Sequence, residues 1–471
     1  MSLKKLEKLK MSILDKYQKA YFSGIGGIGV SALARLFFHS NINVEGSDLA
    51  ISTIVKDLEK VGIKINQQQI AENITTDIDV FIHSAALTND NPELVRAKEL
   101  KIETYSYFEF LGLLSKEYET IAISGTHGKS TTTAMLGLIL IEAGLDPTVI
   151  LGTQVKGFDH NFRAGHGKYL VLESCEYRGH MLNIESQYSL VNNVEADHLD
   201  FYRDLDEIVS YFSKFLGQAK KLRFINLDDP KLAEISEYNP EYITFGIENQ
   251  QANFLAKNIK TENNLQTFDL YFKGGEEGQL ELQIPGEFNI YNALGAIAIA
   301  STLGVDFKAI KTALKNFSGC WRRFEIVGKN KETEALIISD YAHHPTAIKK
   351  TIKAAKEFYP DKKILVAFEP HQHSRTEKLF DDFVGAFDLA DNIILNEIYD
   401  VKGRETEIKK VSSKDLLKAI IKKNPERKDT ISYASNLETT RRKILELATA
   451  DTIVLVMGAG DIDKVARQLV N

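Results

Sequence analysis

A glycine-rich turn between a predicted strand and a predicted helix is the feature that most constrains this chain. The apolar run 120–124 precedes the turn and the helical stretch 129–143 follows it. Glycines let backbone N–H groups curl around a phosphate, and the helix N-terminus adds a positive dipole. Lys129 would reach the outer phosphates, and the Ser130 hydroxyl would bind Mg²⁺. The turn contains Gly125, Thr126, His127, Gly128, Lys129, Ser130 and Thr131.

The turn is a shortened variant of the usual phosphate loop. That loop has a glycine five residues before its second glycine, where this chain has Ile123. A glycine turn that only caps a helix is the alternative interpretation. Because Gly-Lys-Ser-Thr falls where phosphate would lie, we predict a nucleotide phosphate site.

Strand-like apolar runs alternate with helical stretches along most of the sequence, which is typical of parallel α/β layers. A chain of 471 residues is long enough for roughly three domains. We expect a Rossmann-like domain over 1–112, a P-loop ATPase-like central α/β domain over 113–318, and a Rossmann-like α/β domain over 319–471. Alternation around Gly274 and Gly275 predicts an antiparallel β segment in the central domain.

A second glycine turn lies near the N-terminus, again between a predicted strand and helix. Its glycines are Gly24, Gly26, Gly27 and Gly29. A diphosphate could lie on this helix N-terminus while Asp48 or Glu45 meets a sugar or base. Read alone, the pattern is a dinucleotide-binding fingerprint that would suit an NAD-dependent oxidoreductase. Glycines that only permit close helix–strand packing are the alternative.

Acidic residues follow two buried strands of the central segment. The polar residues at these strand ends are Glu173, Glu176, Glu195, Asp197 and His198. Open α/β sheets bind ligands at the carboxyl ends of their strands. Mg²⁺ prefers carboxylates, water and substrate phosphates, so one carboxylate together with Ser130 would suit it. His198 could be a ligand or a hydrogen-bonded structural residue.

Two polar loops follow strands in the last segment. The first contains Asp340 and the pair His343 and His344, and the second contains His371 and Arg375. A histidine pair could bind metal, but no third ligand lies at metal spacing in the sequence. Arg375 could hold a carboxylate, because a guanidinium matches it with two parallel hydrogen bonds. A solvated polar loop is the alternative in both cases.

Charge and composition bear on location and partners. The net charge of -7 argues against nucleic acid, and two cysteines form no disulfide framework, which fits a reducing cytoplasm. No apolar run is long enough to span a membrane. The lysine-rich residues 1–20 lack the apolar core of a signal peptide. Leu3, Leu6 and Leu9 predict a short surface helix.

Several motifs together resemble the Mur ligase family of peptidoglycan synthesis. They are GTHGKST, NNVEADHLD, CWRRFE, SDYAHHPT, FEPHQHSRT and VMGAGDI, and they extend over nearly the whole chain. GTHGK marks the superfamily, whereas GIGGIG with GSD, AHHPT and the PHxxSRT pattern resemble the members that add L-alanine. The resemblance implies a first domain for the UDP-sugar, a second for ATP and a third for the amino acid.

The resemblance implies an ATP-dependent ligase that forms a carbon–nitrogen bond. The carboxylate of UDP-N-acetylmuramate would attack the γ-phosphate of ATP to form an acyl phosphate. The amine of L-alanine would then attack, giving an amide, ADP and phosphate. ATP and Mg²⁺, with Mn²⁺ able to replace Mg²⁺, would be required. UDP-N-acetylmuramate and L-alanine would be the small-molecule partners of a cytoplasmic monomer or homodimer.

The resemblance also implies roles for single residues. The turn glycines with Ser47 and Asp48 would bind the UDP-sugar, while His371 and Arg375 would orient the L-alanine carboxylate, away from the phosphate loop. Mg²⁺ would be held by Ser130, Glu173 and His198. The nucleotide would be met by Lys129 at the phosphates, Asn292 at the adenine, Arg323 at a phosphate, Asp340 at the ribose and His344 near the phosphates.

The sequence departs from the family pattern in one short segment and at one single position. Residues 175–178 read Cys-Glu-Tyr-Arg where many relatives have Asp-Glu-Ser-Asp, and Phe288 replaces a common histidine. Lys214 lies roughly where some relatives carry a carbamylated lysine, but its register is not fixed by the sequence.

Other functions stay open at this point. A recycling ligase that attaches a whole peptide to UDP-muramate would need the PHQHSRT loop to admit a bulky peptide. An NAD-dependent oxidoreductase leaves GTHGKST unexplained. A non-catalytic nucleotide-binding regulator would bind ATP without turnover.

Overall fold

The computed structural model describes residues 12–199, 201–237, 241–399 and 410–470. The surface helix predicted around Leu3, Leu6 and Leu9 lies outside these ranges. No helix within them is long and apolar enough to cross a membrane. The chain folds into two compact units that alternate along the sequence. The first contains 1–125, 143–191 and 210–224, and the second contains 126–142, 192–209 and 225–471.

The first unit begins with a five-stranded parallel sheet in the order β3-β2-β1-β4-β5. The order reverses between β1 and β4, where open α/β sheets bind ligands. The strand and the helix predicted on either side of the N-terminal glycine turn are present. The elements are β1 (Lys19–Ser23), α1 (Ile28–His39), β2 (Asn43–Ser47), α2 (Thr53–Lys60), β3 (Lys64–Asn66), β4 (Val80–His83), α3 (Pro92–Glu99), β5 (Glu103–Ser106) and α4 (Tyr107–Ser115).

A buried carboxylate organises the polar interior of this sheet. The Glu93 side chain is fully buried and accepts hydrogen bonds from the hydroxyls of Tyr21 (2.8 Å), Ser23 (2.5 Å) and Ser47 (2.6 Å). The Asn73 amide donates a fourth at 2.7 Å. A buried charge is tolerated only when it is well hydrogen-bonded, and these donors meet that need. The Ser47 hydroxyl is therefore part of the interior.

The same unit also carries strands of the central segment, in the order β10-β6-β9-β7-β8. All neighbouring pairs are parallel except β7 with β8. Strand β6 is almost wholly buried and ends at the phosphate-loop turn, after which helix α5 belongs to the second unit. The elements are β6 (Glu119–Ser124), α5 (Lys129–Glu142), β7 (Thr148–Ile150), β8 (Phe162–Arg163), β9 (Tyr169–Glu173) and β10 (Tyr188–Val191).

The antiparallel β segment predicted around residues 274–275 is confirmed. Strands β14 and β15 form the hairpin, and β13 pairs antiparallel with β14 on its other side. Strand β12 pairs parallel with β13. The elements from here to the last segment are α6 (Leu205–Gly217), β11 (Leu222–Asn226), α7 (Pro230–Glu237), β12 (Ile243–Gly246), β13 (Phe254–Glu262), β14 (Leu265–Phe272), β15 (Gly275–Leu282), α8 (Glu287–Thr302) and α9 (Phe307–Asn316).

The last segment forms a six-stranded sheet in the order β16-β17-β21-β18-β19-β20. Strand β16 is antiparallel to β17, and the other neighbours are parallel. The elements are β16 (Glu325–Lys329), β17 (Leu336–Asp340), α10 (Pro345–Phe358), β18 (Lys363–Phe368), α11 (His373–Lys378), α12 (Phe380–Gly385), β19 (Asn392–Asn396), α13 (Ser413–Lys423), β20 (Ile431–Ala434), α14 (Leu437–Leu447), β21 (Thr452–Met457) and α15 (Asp463–Val470).

The parallel sheets with helices between their strands confirm the predicted α/β class, while the boundaries near 112 and 318 stay predictions. In the last sheet, Met457 of β21 is in register with Asp340 of β17 and with Phe368 of β18. The loops after these three parallel strands therefore leave the same edge of the sheet. This edge carries the polar loops singled out in the sequence.

Candidate active site

The phosphate loop has the backbone shape that its glycines predict. Gly125 and Gly128 have φ values of +133° and +83°, and helix α5 begins directly afterwards at Lys129. A Cβ atom on Gly128 would overlap the Asn292 side-chain oxygen, so only glycine fits there. The Lys129 ammonium lies 3.2 Å from the Thr126 carbonyl oxygen, over the loop.

A neighbouring segment holds the phosphate loop through hydrogen bonds. The Thr126 N–H donates to the Asn193 carbonyl (3.0 Å), and the His127 N–H donates to the Asn193 side-chain oxygen (2.8 Å). The Glu195 N–H donates to the Thr126 hydroxyl at 2.9 Å. The loop and residues 193–195 are therefore fixed to each other, a link that sequence spacing alone does not reveal.

Asn292, which we expected at the adenine, lies beneath the phosphate loop. Its side-chain oxygen accepts the Thr132 hydroxyl (3.3 Å), and its amide donates to Asn289 (3.1 Å). Ser130 and Thr131, in the first turn of α5, are both buried. A glycine loop, a helix N-terminus, a lysine and a hydroxyl together fit a nucleoside triphosphate with its magnesium ion.

Two histidines and a glutamate converge beside the loop. His127 Nε2 lies 3.4 Å and His344 Nδ1 lies 3.8 Å from the same Glu195 carboxylate oxygen. The two imidazole rings are 5.4 Å apart. His343 does not join them, because its Nδ1 faces the Tyr341 carbonyl oxygen at 2.9 Å. His344 thus lies beside the loop residue His127, whereas His343 does not, and the predicted place of His344 near the phosphates stays a prediction.

The surroundings of these residues shift their pKa values. Burial raises the pKa of the Glu195 carboxyl, but attraction from His127, whose Nε2 lies 3.4 Å away, outweighs it and brings the pKa to about 2. Burial, followed by the charge of His127, lowers the pKa of His344. The arrangement therefore favours a carboxylate beside a neutral His344 imidazole.

Arg375 forms a buried ion pair with Asp197. Its Nη2 and Nε lie 3.0 Å and 3.3 Å from one Asp197 carboxylate oxygen, and its Nη1 lies 3.4 Å from His371 Nδ1. Burial would raise the pKa of Asp197, but the Arg375 charge holds it well below its usual range. We expected Arg375 to lie away from the phosphate loop, and this stays a prediction, although bonded segments connect the two. Asp197 follows Glu195 by two residues, and Glu195 is bonded to the loop.

His198 has an unusual backbone conformation next to this pair. Its φ is +54°, and its N–H donates to the Asp197 carboxylate at 2.7 Å. Non-glycine residues rarely adopt positive φ, and such residues cluster at functional sites. A pocket opens beside them, and its lining includes Asp197, His198, Leu199, Gln372, Ser374, Arg375 and Lys378. The predicted role of His198 as a metal ligand stays a prediction.

Two adjacent arginines have different environments. Arg322 is buried and donates to the carbonyls of Gly458 and Gly460, so it holds the last glycine turn in place. Arg323 is only partly buried and lies 4.7 Å from the Tyr341 ring centroid, a cation–π distance. Of the two, Arg323 is the one able to reach a ligand.

Asp340, expected at the ribose, is turned towards the protein backbone. One carboxylate oxygen accepts the Phe324 N–H (2.7 Å) and the other accepts the Ala342 N–H (2.8 Å). Burial raises the pKa of this carboxyl. Asp340 therefore shapes the loops that carry Arg323 and His343, and its ribose contact stays a prediction.

The last glycine turn also rests on a buried glutamate. Glu369 accepts the Ile462 N–H at 3.2 Å and the Asn396 amide at 3.0 Å. A Cβ atom on Gly460 would overlap its carboxylate. Burial raises the Glu369 pKa to about 7. The Gly458–Gly460 turn is thus held by the Glu369 carboxyl group and by the Arg322 guanidinium.

In the first unit, the N-terminal glycine turn is closed by its own chain. The Gly24 and Ile25 N–H groups donate to the Ser47 carbonyl at 2.8 Å and 3.0 Å, and the Gly26 N–H donates to the Asp48 carboxylate at 2.9 Å. A Cβ atom on Gly29 would lie 2.8 Å from the Tyr107 ring. At Gly29, the absence of a side chain therefore allows the turn to pack closely against Tyr107, as the packing alternative proposes.

The structure corrects one detail of that turn. The Ser47 side chain is fully buried against Glu93, so its hydroxyl is not available to a ligand at the turn. Glu45, the alternative to Asp48, pairs with Lys19 at 3.2 Å. Asp48 is therefore the acidic side chain that belongs to the turn.

Glu173 is the remaining residue of the predicted magnesium set. It ends β9 in the first unit, where its carboxylate accepts the Gly152 N–H at 2.6 Å. Lys214, in the same unit, lies 5.1 Å from the Tyr211 ring centroid. The assignment of Glu173 to magnesium stays a prediction.

Three stretches of the chain match descriptions of one family. Residues 19–119 match "Mur ligase family, catalytic domain", and residues 123–300 match "Mur ligase middle domain". Residues 322–460 match "Mur ligase, glutamate ligase domain". The three matches follow one another along the sequence and together extend over most of the chain.

Curated relatives are similar over the full length. The UDP-N-acetylmuramate–L-alanine ligase of Caldanaerobacter subterraneus subsp. tengcongensis is 37% identical, covering 97% of this chain and 98% of that protein. The enzyme of the same name from Clostridium kluyveri is 38% identical, with the same coverage. The crystal structure of UDP-N-acetylmuramate–alanine ligase from Thermotoga maritima superimposes with a TM-score of 0.81 at 29% identity, covering 96% of this chain and 98% of that one.

Proposed function

The chain belongs to the Mur ligase family, and on this premise we propose that it joins L-alanine to the carboxylate of UDP-N-acetylmuramate. ATP is converted to ADP and phosphate in the reaction, which supplies a precursor of peptidoglycan. We further propose that the enzyme acts in the cytoplasm as a monomer or homodimer. Because the chain belongs to this family, we do not retain the NAD-dependent oxidoreductase as an alternative.

One observation carries the proposal for the site. A continuous set of contacts links the phosphate loop, through Glu195 and Asp197, to Arg375 beside the pocket. A ligase needs the phosphorylated carboxylate and the incoming amine close together, because the second step is an attack of one on the other. Adjacent phosphate-binding and carboxylate-binding groups meet that need.

The first step transfers a phosphoryl group. A carboxylate oxygen of the sugar attacks the γ-phosphorus, the bond to the β–γ bridging oxygen breaks, and ADP leaves. Lys129 and Arg323 neutralise the charge that spreads over the phosphate oxygens. Mg²⁺, held in this proposal by Ser130, Glu173 and His198, would supply further charge neutralisation between the phosphates. The acyl phosphate is a better acyl donor than a free carboxylate, whose leaving group would be oxide.

The second step forms the amide. The L-alanine amine, after losing a proton, attacks the acyl carbon, and the bond from that carbon to the phosphate oxygen breaks. Arg375 would receive the L-alanine carboxylate. Asp197 uses one oxygen for two of the guanidinium nitrogens, and the Nη1 contacts to His371 are long, at 3.4 Å and 3.5 Å. The substrate carboxylate would thus find an N–H donor there without displacing Asp197.

Phosphate release tests the function. We expect release only when ATP, Mg²⁺, UDP-N-acetylmuramate and L-alanine are all present. Each component is omitted in turn, and glycine, L-serine and an L-alanine-containing peptide replace L-alanine in parallel reactions. Equal turnover without the nucleotide sugar would contradict the assignment, and a preference for the peptide would identify a recycling ligase.

A further inference from the structure

Three side chains of types that bind metal ions lie together beside the phosphate loop. None of them belongs to the proposed magnesium site. The ligand atoms of His127, Glu195 and His344 all lie within 4.8 Å of one another. Their donors are two imidazole nitrogens and one carboxylate oxygen. Imidazole suits zinc, copper and nickel, whereas Mg²⁺ takes oxygen ligands.

The distances suit one ion. Two ligands bound tetrahedrally at the usual zinc distances lie about 3.4 Å from each other. His127 Nε2 and His344 Nδ1 lie 3.4 Å and 3.8 Å from the Glu195 oxygen. All three ligand atoms lie within 4.8 Å of one another, so a shift of up to about 1.4 Å would bring them onto one ion. The same distances are long for hydrogen bonds, which explains why they do not satisfy the donors and acceptors directly.

The hydrogen bonds of His344 prepare it as a ligand. Its Nε2 lies 3.3 Å from the Ala196 carbonyl oxygen, which can only accept, so Nε2 carries the proton. Its Nδ1 lone pair lies 3.8 Å from the Glu195 carboxylate and accepts the Thr346 N–H at 3.4 Å, a long contact that a bound ion would replace. A histidine that donates its other ring N–H to a backbone carbonyl is the usual arrangement at metal sites.

His127 supplies an independent sign of a missing partner. Its Nε2 atom is buried and has no hydrogen-bond partner among the described residues. Buried polar atoms rarely lack a hydrogen-bond partner, and a bound ion is one explanation where such an atom has none. The backbones of His127 and Glu195 are fixed by their bonds to Asn193 and Thr126, so both side chains leave rigid positions.

We propose that His127, Glu195 and His344 bind one divalent transition-metal ion of the zinc class. The ion would be separate from the magnesium ion that accompanies the nucleotide. Water would fill the fourth position, since His127 and Glu195 each keep about a quarter of their side-chain surface exposed. The ion would tie the phosphate loop to the start of helix α10, where His344 is the N-cap residue.

Cobalt titration tests the site without any substrate. Co²⁺ is added to the metal-free full-length protein in excess Mg²⁺, and the visible absorption of bound Co²⁺ is followed. We expect one equivalent to bind with the bands of a low-coordinate nitrogen–oxygen site, and Zn²⁺ to displace it. Zn²⁺ should also raise the unfolding temperature, because it binds only the folded protein.

Variants assign the binding to these residues. His344→Ala and Glu195→Gln should each weaken Co²⁺ binding at least about tenfold, since even second-shell changes at metal sites have effects of that size. His166→Ala, which removes a histidine with 96% exposed side chain, should bind as the wild type does. Circular dichroism checks that each variant is folded, and His127→Asn replaces any variant that is not. Unchanged binding in the folded cluster variants would overturn the proposal.

The outcome is independent of the ligase assignment. A protein that binds Co²⁺ through these residues but releases no phosphate would retain the metal site and lose the proposed function. The reverse result would retain the function and remove the site.

Discussion

The two long glycine turns of this protein have similar sequences but are held in different ways. In the N-terminal turn, the Asp48 carboxylate accepts the Gly26 N–H. In the phosphate loop, the corresponding support comes from Asn193, which is neutral, and the acidic residues lie two and four positions further on. One turn is closed by a negative charge and the other is not.

This difference indicates different tasks. A carboxylate that accepts a backbone N–H at a helix N-terminus occupies a donor that a phosphate would otherwise use. The N-terminal turn therefore suits a ligand that is bound partly through its hydroxyl groups. The phosphate loop is supported by the neutral Asn193 side chain, and the Lys129 ammonium lies over the loop. We infer that changes in the first turn act on stability and sugar affinity, and that changes in the second act on turnover.

A third turn, at Gly458 and Gly460, extends the comparison. Like the N-terminal turn it rests on a carboxylate, that of Glu369, but this carboxylate is buried and its pKa is raised to about 7. Its support should therefore depend on pH, which the amide support of the phosphate loop cannot do.

The largest effect is expected at the phosphate loop. Lys129→Ala should lower kcat at least about 10²-fold, because a clamp on developing phosphate charge acts in the transition state. Thermal unfolding should change little. Lys418→Ala, on an exposed position of α13, serves as the control. An unchanged kcat would show that the turn is only a helix cap and would remove the distinction between the two turns.

The Glu369 turn should give a pH-dependent stability. The folded-state pKa of about 7 exceeds the ordinary value of 4.5, so the folded protein binds the proton more tightly. The free energy of unfolding should then fall as pH rises from 4.5 to about 7, by an amount on the order of 2 kcal/mol, and stay constant beyond. Glu369→Gln should remove this fall, because a neutral amide does not titrate.

Urea unfolding at pH 5 and pH 8 measures the effect. The readout is the difference between the two pH values, which cancels any pH-independent change caused by the amide. Glu357→Gln, an exposed change in α10, is the matched control. If wild type and Glu369→Gln show the same pH dependence, Glu369 is ionised throughout and its turn resembles the N-terminal one.

Arg375→Lys should separate amino-acid binding from nucleotide binding. Lysine keeps the charge but loses the planar fork, so KM for L-alanine should rise about tenfold, equivalent to about 1.4 kcal/mol. KM for ATP should change less, because a lysine can still pair with Asp197. Arg442→Lys, at an exposed position, is the control. A rise in the KM for ATP with no change for L-alanine would make Arg375 a phosphate ligand.

Local patterns made much of the fold predictable. The strand and helix around each glycine turn, and the antiparallel hairpin, follow from periodicity and turn residues that lie within a few positions of each other. The contacts that build the site do not. Asp197 and Arg375 are 178 positions apart, and nothing in one sequence states which strand ends share an edge.

The histidine cluster shows the same limit. The sequence shows His343 beside His344 and offers no third ligand at metal spacing. The fold instead directs His343 to the Tyr341 carbonyl and brings His127 and Glu195 to His344. Adjacent residues in an irregular loop face different ways, so sequence adjacency was the wrong guide to this cluster.

The smallest expected effect tests the N-terminal turn directly. Asp48→Asn keeps a side-chain oxygen that can accept the Gly26 N–H but removes the charge. Charge-assisted hydrogen bonds are roughly twice as strong as neutral ones, so the free energy of unfolding should fall by about 1 kcal/mol or less. At saturating nucleotide sugar, kcat should stay within about twofold of wild type, because the turn is not placed at the reacting phosphate. Asp90→Asn, an exposed change in the same unit, sets the baseline for urea unfolding and for kcat. A loss of kcat as large as that of Lys129→Ala would mean that the two turns share one task, and the contrast drawn from their different supports would fail.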